Sequence, residues 1–172
     1  MATGLEHPEL ALTAARAAFA RSFSMQDYQA AQAIAGVSWP VVKAELLNLL
    51  GSANYAYERI DIYLHEGMVD EAIKAVEKRD DYVGYEVLER VCDAAWQSHP
   101  DWVIRQCQKQ AEKIMDGGQS KYYHHAVNWL KRARRAYLGS SKAGEWGKYL
   151  EGLIQKHARK YSLRPQLESL RK

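Results

Sequence analysis

The sequence places apolar residues at helical spacing along almost its whole length, and this feature most restricts the fold. Apolar positions recur three and four residues apart in segment after segment, whereas the alternation typical of strands nowhere lasts more than a few residues. Each segment therefore carries a single apolar stripe, which becomes buried only when the helix packs against a neighbour. The pattern predicts an all-α chain.

Six apolar stripes define the predicted helices from the middle of the chain onward. The first helix is predicted over 53–66, with Ala56, Tyr57, Ile60, Tyr63 and Leu64 on its apolar face. The later stripes are Val69, Ala72, Ile73 and Val76; Leu88, Val91, Cys92 and Ala95; Ile104, Cys107, Ala111 and Ile114; Tyr123, Ala126, Val127, Leu130 and Ala133; and Trp146, Tyr149, Leu150, Leu153 and Ile154.

Proline and glycine residues fall at the expected ends of these helices. The four prolines stand where a helix would begin, because the first turn does not need the N–H that proline lacks. Several glycines stand where a helix would end in a left-handed cap. These residues are Pro8, Pro40, Pro100 and Pro165, and Gly36, Gly51, Gly67, Gly117, Gly118 and Gly139. We predict about nine or ten short helices joined by short links.

The segment YLHEGMVDEAIKAVEK has the features of a helical hairpin. Gly67 stands five residues before Ala72, a small residue suited to a close approach of two helices. A looser copy is AEKIMDGGQSKYYHHAVNWLKRA, in which Gly118 precedes Ala126 by eight residues. Both segments resemble the turn and second helix of tetratricopeptide repeats. We therefore predict a right-handed solenoid of degenerate tetratricopeptide-like hairpins.

Four aromatic-rich stretches follow one another from about residue 55 onward. They are YLHEGMVDEAI, SHPDWVIRQCQKQAEKIMD, YYHHAVNWLKRARRAYL and WGKYLEGLIQKHARKYSLRPQLESL. In order and spacing they resemble the α-helical, tetratricopeptide-like region that follows the zinc finger in bacterial SWIM zinc-finger proteins. The defining C-x-C and C-x-H pairs do not occur in this sequence. The resemblance thus implies the helical scaffold alone, and it leaves open whether the chain acts with a separate SWIM zinc-finger protein.

The composition is that of an ordinary globular protein, with 47% hydrophobic and 26% charged residues. No predicted linker is long enough to divide it, so we predict one helical domain over 1–172, with N-terminal helices in 1–52 and the SWIM-like region in 53–172. Two cysteines suit a reducing compartment. The sequence shows no signal-peptide pattern and no run of about 18 uninterrupted apolar residues, which predicts a cytoplasmic protein without membrane contact.

Charge is distributed unevenly, although the net charge is only +3. Residues 1–86 hold 7 Lys and Arg against 13 Asp and Glu, a balance of −6, and residues 87–172 hold 17 against 8, a balance of +9. A basic half can attract nucleic acid, but opposite halves can also pack between copies of the chain. The asymmetry therefore makes a homo-oligomer plausible.

The pair His65-Glu66 suggests a catalytic motif that the surrounding sequence does not complete. It is not H-E-x-x-H, because position 69 is valine, and we expect His65 to cap the helix end or to face water. Nothing in the spacing favours a dyad of a cysteine with His124 or His157. We predict that the protein is not an enzyme and has no catalytic residues.

The remaining cysteines and histidines lack the spacing of metal ligands. Cys92 and Cys107, with His99 between them, are too far apart for the usual zinc pairs, and both cysteines fall on apolar stripes. His124 and His125 are neighbours on a predicted helix, where adjacent side chains diverge by about 100 degrees. We therefore predict neither a metal nor a cofactor.

A basic face on the helix around residue 130 is the strongest candidate for a binding site. Lys121, His125, Asn128, Arg132 and Arg135 recur at three- and four-residue steps, opposite the apolar stripe. Such a face attracts phosphate backbones, acidic peptides or acidic protein surfaces. The alternative is a solvated helix exterior that balances charge elsewhere.

Two functions are compatible with these features. The first is a non-enzymatic protein-interaction scaffold of tetratricopeptide-like type that binds a protein or peptide. The second is a nucleic-acid-associated accessory protein that binds through the basic C-terminal half. The 5 Trp and 11 Tyr are expected mostly to fill the space between helices, and an aromatic side chain left exposed would anchor a partner.

Overall fold

The computed structural model describes residues 6–54, 58–78 and 84–171, in which helices are joined by turns and no strand occurs. The α-helices are α1 (Glu6–Ser22), α2 (Met25–Ala35), α3 (Trp39–Ser52), α4 (Arg59–His65), α5 (Val69–Glu77), α6 (Tyr85–Ala95), α7 (Pro100–Asp116), α8 (Tyr123–Gly139), α9 (Ala143–Lys156) and α10 (Arg164–Glu168). Short 3-10 helices lie at Gly36–Ser38, Ser120–Tyr122 and Ser169–Arg171. The prediction of an all-α chain is confirmed.

The chain forms two compact units, Met1–Val83 and Gly84–Lys172. The first unit contains α1 to α5 and the second contains α6 to α10. The single domain over 1–172 stays a prediction.

The first unit has an aromatic core between α1, α2 and α3. Phe19 and Tyr28 are fully buried, and their ring centroids lie 5.6 Å apart. The ring centroids of Tyr28 and Trp39 lie 5.2 Å apart, with the two rings in an edge-to-face arrangement. Helices α4 and α5 pack together as a hairpin, and α2 contacts α4. Ala72 is fully buried in this hairpin, as its place in the sequence predicts.

Glu66 joins three helices of the first unit through its carboxylate. It accepts a hydrogen bond from the Tyr28 hydroxyl (3.0 Å) and one from the Lys43 ammonium (3.0 Å). Burial, and then the bond to Glu66, raises the pKa of Tyr28. His65 ends α4 with its ring centroid 6.4 Å from that of Tyr28. In this structure Glu66 is therefore a packing and hydrogen-bonding residue.

The stretch Met25–Ser52 is long and apolar enough, by length and composition, to cross a membrane, which is weak support for a span. The most apolar 18-residue window of this stretch has a mean hydropathy of 1.3, and 22% of that window is buried. In the structure the stretch consists of two helices with a 3-10 turn between them, and Lys43 and Glu45 interrupt its apolar run. Val37 and Val41 are exposed there. The predicted absence of membrane contact stays a prediction.

Helices α6 and α8 run parallel to each other in the second unit. Tyr85 near the start of α6 lies 6.5 Å from Trp129 between ring centroids, and Asp93 further along bonds Arg135. At the end of α6, Trp96 lies so close to Gly139 that a Cβ on Gly139 would be 2.7 Å from the indole Cζ3. Gly139 therefore permits the close approach of the two helices.

Helices α7 and α9 form a second parallel pair. Lys142 forms a salt bridge with Asp101 at the start of α7, and Lys156 forms one with Asp116 at the end of α7. Between these pairs, the Tyr149 hydroxyl donates to Glu112 at 2.8 Å. Helix α8 packs against both α7 and α9, and α10 closes the unit against α8 and α9. The leucines at and around α10 that are buried are Leu163, Leu167 and Leu170.

The end of α4 at Gly67 matches the left-handed cap that the sequence predicts. Gly67 has φ +70. Its N–H donates to Leu64, and the Met68 N–H donates to Tyr63 at 2.8 Å, which are the two bonds of a Schellman motif. Gly36 and Gly118 also have positive φ.

Three of the six predicted left-handed glycine caps are wrong. Gly117 has φ −61, and the left-handed residue after α7 is Gly118. Gly51 lies inside α3, which continues to Ser52. Gly139 is the last residue of α8, and the left-handed residue that follows is Ser141, with φ +61. The bond from the Lys142 N–H to Tyr137 completes the same kind of cap there.

The predicted helix over 53–66 begins later than expected. Ala53 is extended, with ψ 135, and the Arg59 guanidinium donates to its carbonyl. Helix α4 starts at Arg59, directly after Glu58, whose φ −99 and ψ 17 are not helical. Ala56 and Tyr57 lie outside the described residues.

The apolar stripes from Val69 onward coincide with the buried faces, with three half-buried exceptions. Val69, Ile114 and Tyr149 are the three. The exposure of Ile114 follows from its place beside a groove in the second unit.

Candidate binding groove

The predicted basic face on α8 is divided by α6, which lies along its C-terminal half. Arg132 and Arg135 point toward α6, whereas His125 and Asn128 line an open groove beside the start of α6. Lys121 is exposed and its ammonium lies 4.8 Å from the centroid of the Tyr122 ring. The five residues therefore have two different environments.

Arg132 and Arg135 form an ion-pair cluster with two acidic residues of α6. The Arg132 guanidinium lies 3.2 Å from both Glu89 and Asp93, and Arg135 donates to Asp93 at 2.7 Å. Burial of Arg132 opposes its charge, but the bonds to Asp93 outweigh burial and raise its pKa. These four residues, Glu89, Asp93, Arg132 and Arg135, are called the ion-pair cluster below.

The same two arginines also lie against tryptophan rings. The Arg132 guanidinium is 5.5 Å from the Trp129 ring centroid, and that of Arg135 is 5.0 Å from Trp96. Both distances are within the range of cation–π attraction. The C-terminal half of the predicted face thus fixes α6 to α8, and much of its positive charge is balanced inside the unit.

A groove of about 960 Å³ opens between the start of α6, the end of α7 and the start of α8. Tyr85 and Tyr122 stand at its sides with 52% and 44% of their surfaces exposed. Trp129 and Ile114 supply its apolar lining, and Trp129 is almost fully buried. We call this cavity the α6–α8 groove.

The polar lining of the α6–α8 groove combines both charges with amides. Glu86 and Glu89 lie on the α6 side, and Lys113 lies on the α7 side. Asn128 and Gln119 bring side-chain amides, which can each donate to and accept from a peptide backbone. The groove thus combines apolar and aromatic side chains with several polar groups that can orient a ligand.

A second set of basic residues forms a row on α7. Arg105, Lys109 and Lys113 follow one another at four-residue steps and are exposed. None of the three forms a salt bridge with a residue in the described ranges. Part of the accessible positive charge of the second unit therefore lies in this row, which is not among the predicted site residues.

The two cysteines lie together in the interior of the second unit. Cys92 and Cys107 are fully buried and reduced. A hydrogen bond with Cys107, and then burial, raises the pKa of the Cys92 thiol. A thiol that resists ionisation is a poor nucleophile, so this pair belongs to the core.

The histidine pair at the start of α8 is closer than the sequence predicts. The ring centroids of His124 and His125 lie only 3.9 Å apart, because rotation about the side-chain bonds brings the rings together. Among the described residues no group of three or more His, Cys, Asp or Glu is placed to hold a metal ion. The absence of metal and cofactor stays a prediction.

Sequence reasoning missed the part of the site that α6 contributes. Tyr85, Glu86 and Glu89 lie more than thirty residues from Arg132 in the chain, so no local pattern joins them. One signal was present in the sequence. Glu89 and Asp93 are four residues apart, and Arg132 and Arg135 are three apart, so each pair lies on one face of its helix and the two faces have opposite charge.

Comparison with known proteins adds no assignment. No family model, curated protein or solved structure matches the chain.

Proposed function

We propose that the protein is a non-enzymatic protein-interaction scaffold that binds a peptide segment of a partner in the α6–α8 groove. The observation that carries this proposal is the groove itself, with two exposed tyrosines beside an apolar lining. Exposed aromatic side chains around a cavity are typical anchors of protein recognition. Asn128 and Gln119 supply the amides that would hold the peptide backbone.

We further propose that the helices are degenerate tetratricopeptide-like hairpins in a right-handed solenoid. The parallel pairs α6 with α8 and α7 with α9 support this arrangement, since stacked hairpins place alternate helices side by side. The longer turn before α8 contains the 3-10 helix Ser120–Tyr122, which accounts for the extra residues after Gly118. A relation to the helical region of SWIM zinc-finger proteins is part of the same proposal.

Photo-crosslinking from the groove tests the proposed binding. Tyr85 is replaced by p-benzoylphenylalanine, and the control carries the same replacement at Tyr161, a tyrosine that is 87% exposed and does not line the groove. Both proteins are irradiated in cells and the adducts are analysed with and without nuclease. We expect protein adducts from position 85 that survive nuclease and are missing from position 161.

Two results would count against binding in the groove. One is the absence of adducts at position 85, and the other is the same set of adducts at both positions. Adducts that disappear with nuclease would instead support the nucleic-acid alternative.

The alternative function, nucleic-acid association, is favoured by the row on α7. Arg105 and Lys109 are exposed and form no salt bridge in the described parts of the chain, whereas Arg132 and Arg135 already pair with acidic residues of α6. The informative variant is therefore Arg105→Glu with Lys109→Glu. If the alternative holds, this variant loses affinity for a single-stranded oligonucleotide, and wild-type binding weakens steeply with salt.

A further inference from the structure

The acidic residues of α6 form a row that faces α8. Glu86, Glu89 and Asp93 follow one another at three- and four-residue steps, so they share one side of the helix. Glu89 and Asp93 belong to the ion-pair cluster and meet arginines of α8. Glu86, one turn earlier, is the only member of this row that lies outside the cluster.

The parallel arrangement of α6 and α8 shows what faces Glu86. Glu89 lies opposite Arg132, so the turn of α8 that precedes Arg132 corresponds to Glu86. That turn carries Asn128, which has no charge, and it borders the α6–α8 groove. Glu86 is exposed, lines the same groove and forms no salt bridge with any residue of the described ranges. The row therefore lacks a cation at this position.

The surroundings of Glu86 suit a cationic side chain. Tyr85 is its neighbour in the chain, lines the same groove and is 52% exposed. Carboxylate and aromatic groups together attract Lys or Arg by ion pairing and cation–π contact. Lys113 on the α7 side of the groove would repel a second cation, which favours one basic residue over a polybasic run.

We propose that the α6–α8 groove selects peptide segments in which a Lys or Arg stands beside an apolar side chain. The basic side chain pairs with Glu86, and its apolar neighbour lies between Tyr85 and Tyr122. This inference rests on the proposed peptide binding and adds the chemistry of the partner.

Two pools of fluorescein-labelled hexapeptides test the inference. One pool has Phe beside Arg in its two central positions and the other has Phe beside Glu, with the outer four positions randomised. Fluorescence anisotropy measures their binding to the wild-type chain, to Glu86→Lys and to Glu145→Lys. Glu145 is a matched control, because it is also an exposed glutamate in the first turn of a helix and does not line the groove.

We expect the wild-type chain to bind the Arg pool about three- to tenfold more tightly than the Glu pool, as for partly exposed charge pairs. Glu86→Lys should abolish or reverse this preference, whereas Glu145→Lys should keep it. Glu86→Gln, which adds no charge, should abolish the preference without reversing it. Circular dichroism confirms that each variant remains helical.

The inference is overturned if the wild-type chain shows no preference for the Arg pool, if it binds neither pool, or if Glu86→Lys and Glu86→Gln both retain the preference. Photo-crosslinking at position 85 separates this failure from that of the proposed function. Partner adducts at position 85 without a preference for Arg would leave peptide binding in place and remove only the charge selection.

Discussion

Ser141 holds a backbone conformation that serine rarely adopts. Its φ is +61 at the end of α8, and its side chain is exposed. Glycine takes this conformation without the steric clash of a Cβ, so we expect Ser141→Gly to raise the free energy of unfolding by about 0.5 kcal/mol. Urea denaturation measures the change.

The neighbouring serine is the control for that substitution. Ser140 has φ −102, and its hydroxyl donates to the Ala136 carbonyl at 2.7 Å. Ser140→Gly should therefore destabilise the protein. If both glycine variants lower the free energy of unfolding equally, the assignment of a left-handed conformation to Ser141 is wrong.

At Gly67, in contrast to Ser141, the residue with left-handed backbone conformation is already a glycine. Its φ of +70 is unfavourable for any residue with a Cβ, although a Cβ would meet no atom within 4 Å. We expect Gly67→Ala to lower the free energy of unfolding by about 1 kcal/mol or more through backbone strain alone. An unchanged melting temperature would contradict the hairpin turn.

Gly152→Ala is the matched control for Gly67→Ala. Gly152 lies in α9 at an exposed position with no atom near an added Cβ, and its φ is not positive. Alanine is the better helix former, so the same substitution should stabilise the protein by up to about 1 kcal/mol. The two alanine variants thus differ in sign because the backbone conformations differ.

His157 links stability to pH. It is 3% exposed, and its Nε2 lies 3.7 Å from Asp116, too far for a hydrogen bond. Burial, and then the charges of Lys160 and Lys156, lowers its pKa from the ordinary 6.5. As pH falls through 6.5, the unfolded chain binds a proton that the folded chain still excludes, and stability decreases until the folded-state pKa is reached.

The pH effect of His157 is measured by comparison with His157→Gln. We expect wild-type stability in urea to fall more between about pH 7.5 and about pH 5.5 than that of the variant, because glutamine has no proton to bind in this range. The charged groups around this position are the same in both proteins, so the difference between the two pH profiles reports His157. These groups are Glu112, Asp116, Lys156 and Lys160. Parallel pH profiles would show that His157 titrates alike in both states.

At the scale of the helix, the ion-pair cluster holds α6 on α8. Arg132→Ala would leave Glu89 and Asp93 facing each other without the guanidinium between them. We expect a loss of about 1–3 kcal/mol in the free energy of unfolding, typical of hydrogen bonds to charged groups. Lys131→Ala is the control, because Lys131 is exposed on the same helix, and its effect should be within about 0.5 kcal/mol.

Urea denaturation monitored by tryptophan fluorescence is a suitable measurement, since Arg132 and Arg135 lie against Trp129 and Trp96. Equal stability of the Arg132 and Lys131 variants would show that the cluster does not fix α6. The charge reversal of Arg132 would disturb this contact as well as any external binding. Arg132 is therefore a poor residue for testing nucleic-acid association.

Helices could be predicted from the sequence where the signal is local. The buried stripe of α6 follows its periodicity, and Pro100 marks the start of α7. The break between α3 and α4 could not be predicted, because the Arg59 guanidinium binds the carbonyl of the extended Ala53, a contact that periodicity does not reveal. The role of Gly139 was also hidden, since its small size serves Trp96 on another helix.

The candidate site was predicted only in part for the same physical reason. His125 and Asn128 of the predicted face do line the α6–α8 groove. The partner of Arg132 is Glu89, 43 residues away in the chain, and periodicity carries no information on which helices become neighbours. The basic face was visible in the sequence, whereas its neutralisation by α6 required the tertiary structure.

At the scale of the whole molecule, the uneven charge predicts self-association that depends on salt. The acidic balance of residues 1–86 and the basic balance of residues 87–172 attract each other between copies of the chain. We expect light scattering to give a mass above 19.6 kDa at about 50 mM salt and a mass near 19.6 kDa at about 500 mM, where charges are screened beyond a few ångströms. A mass that does not change with salt would contradict electrostatic association.

The position of the groove beside the start of α6 also gives binding a thermodynamic signature. A ligand that contacts Tyr85 and Asn128 together requires α6 to be seated on α8, so it binds the folded unit and not the unfolded chain. Occupancy at a hundred times the dissociation constant then adds about 2.7 kcal/mol to the free energy of unfolding. Candidate partners can therefore be ranked by the rise in melting temperature that they cause, before any of them is identified chemically.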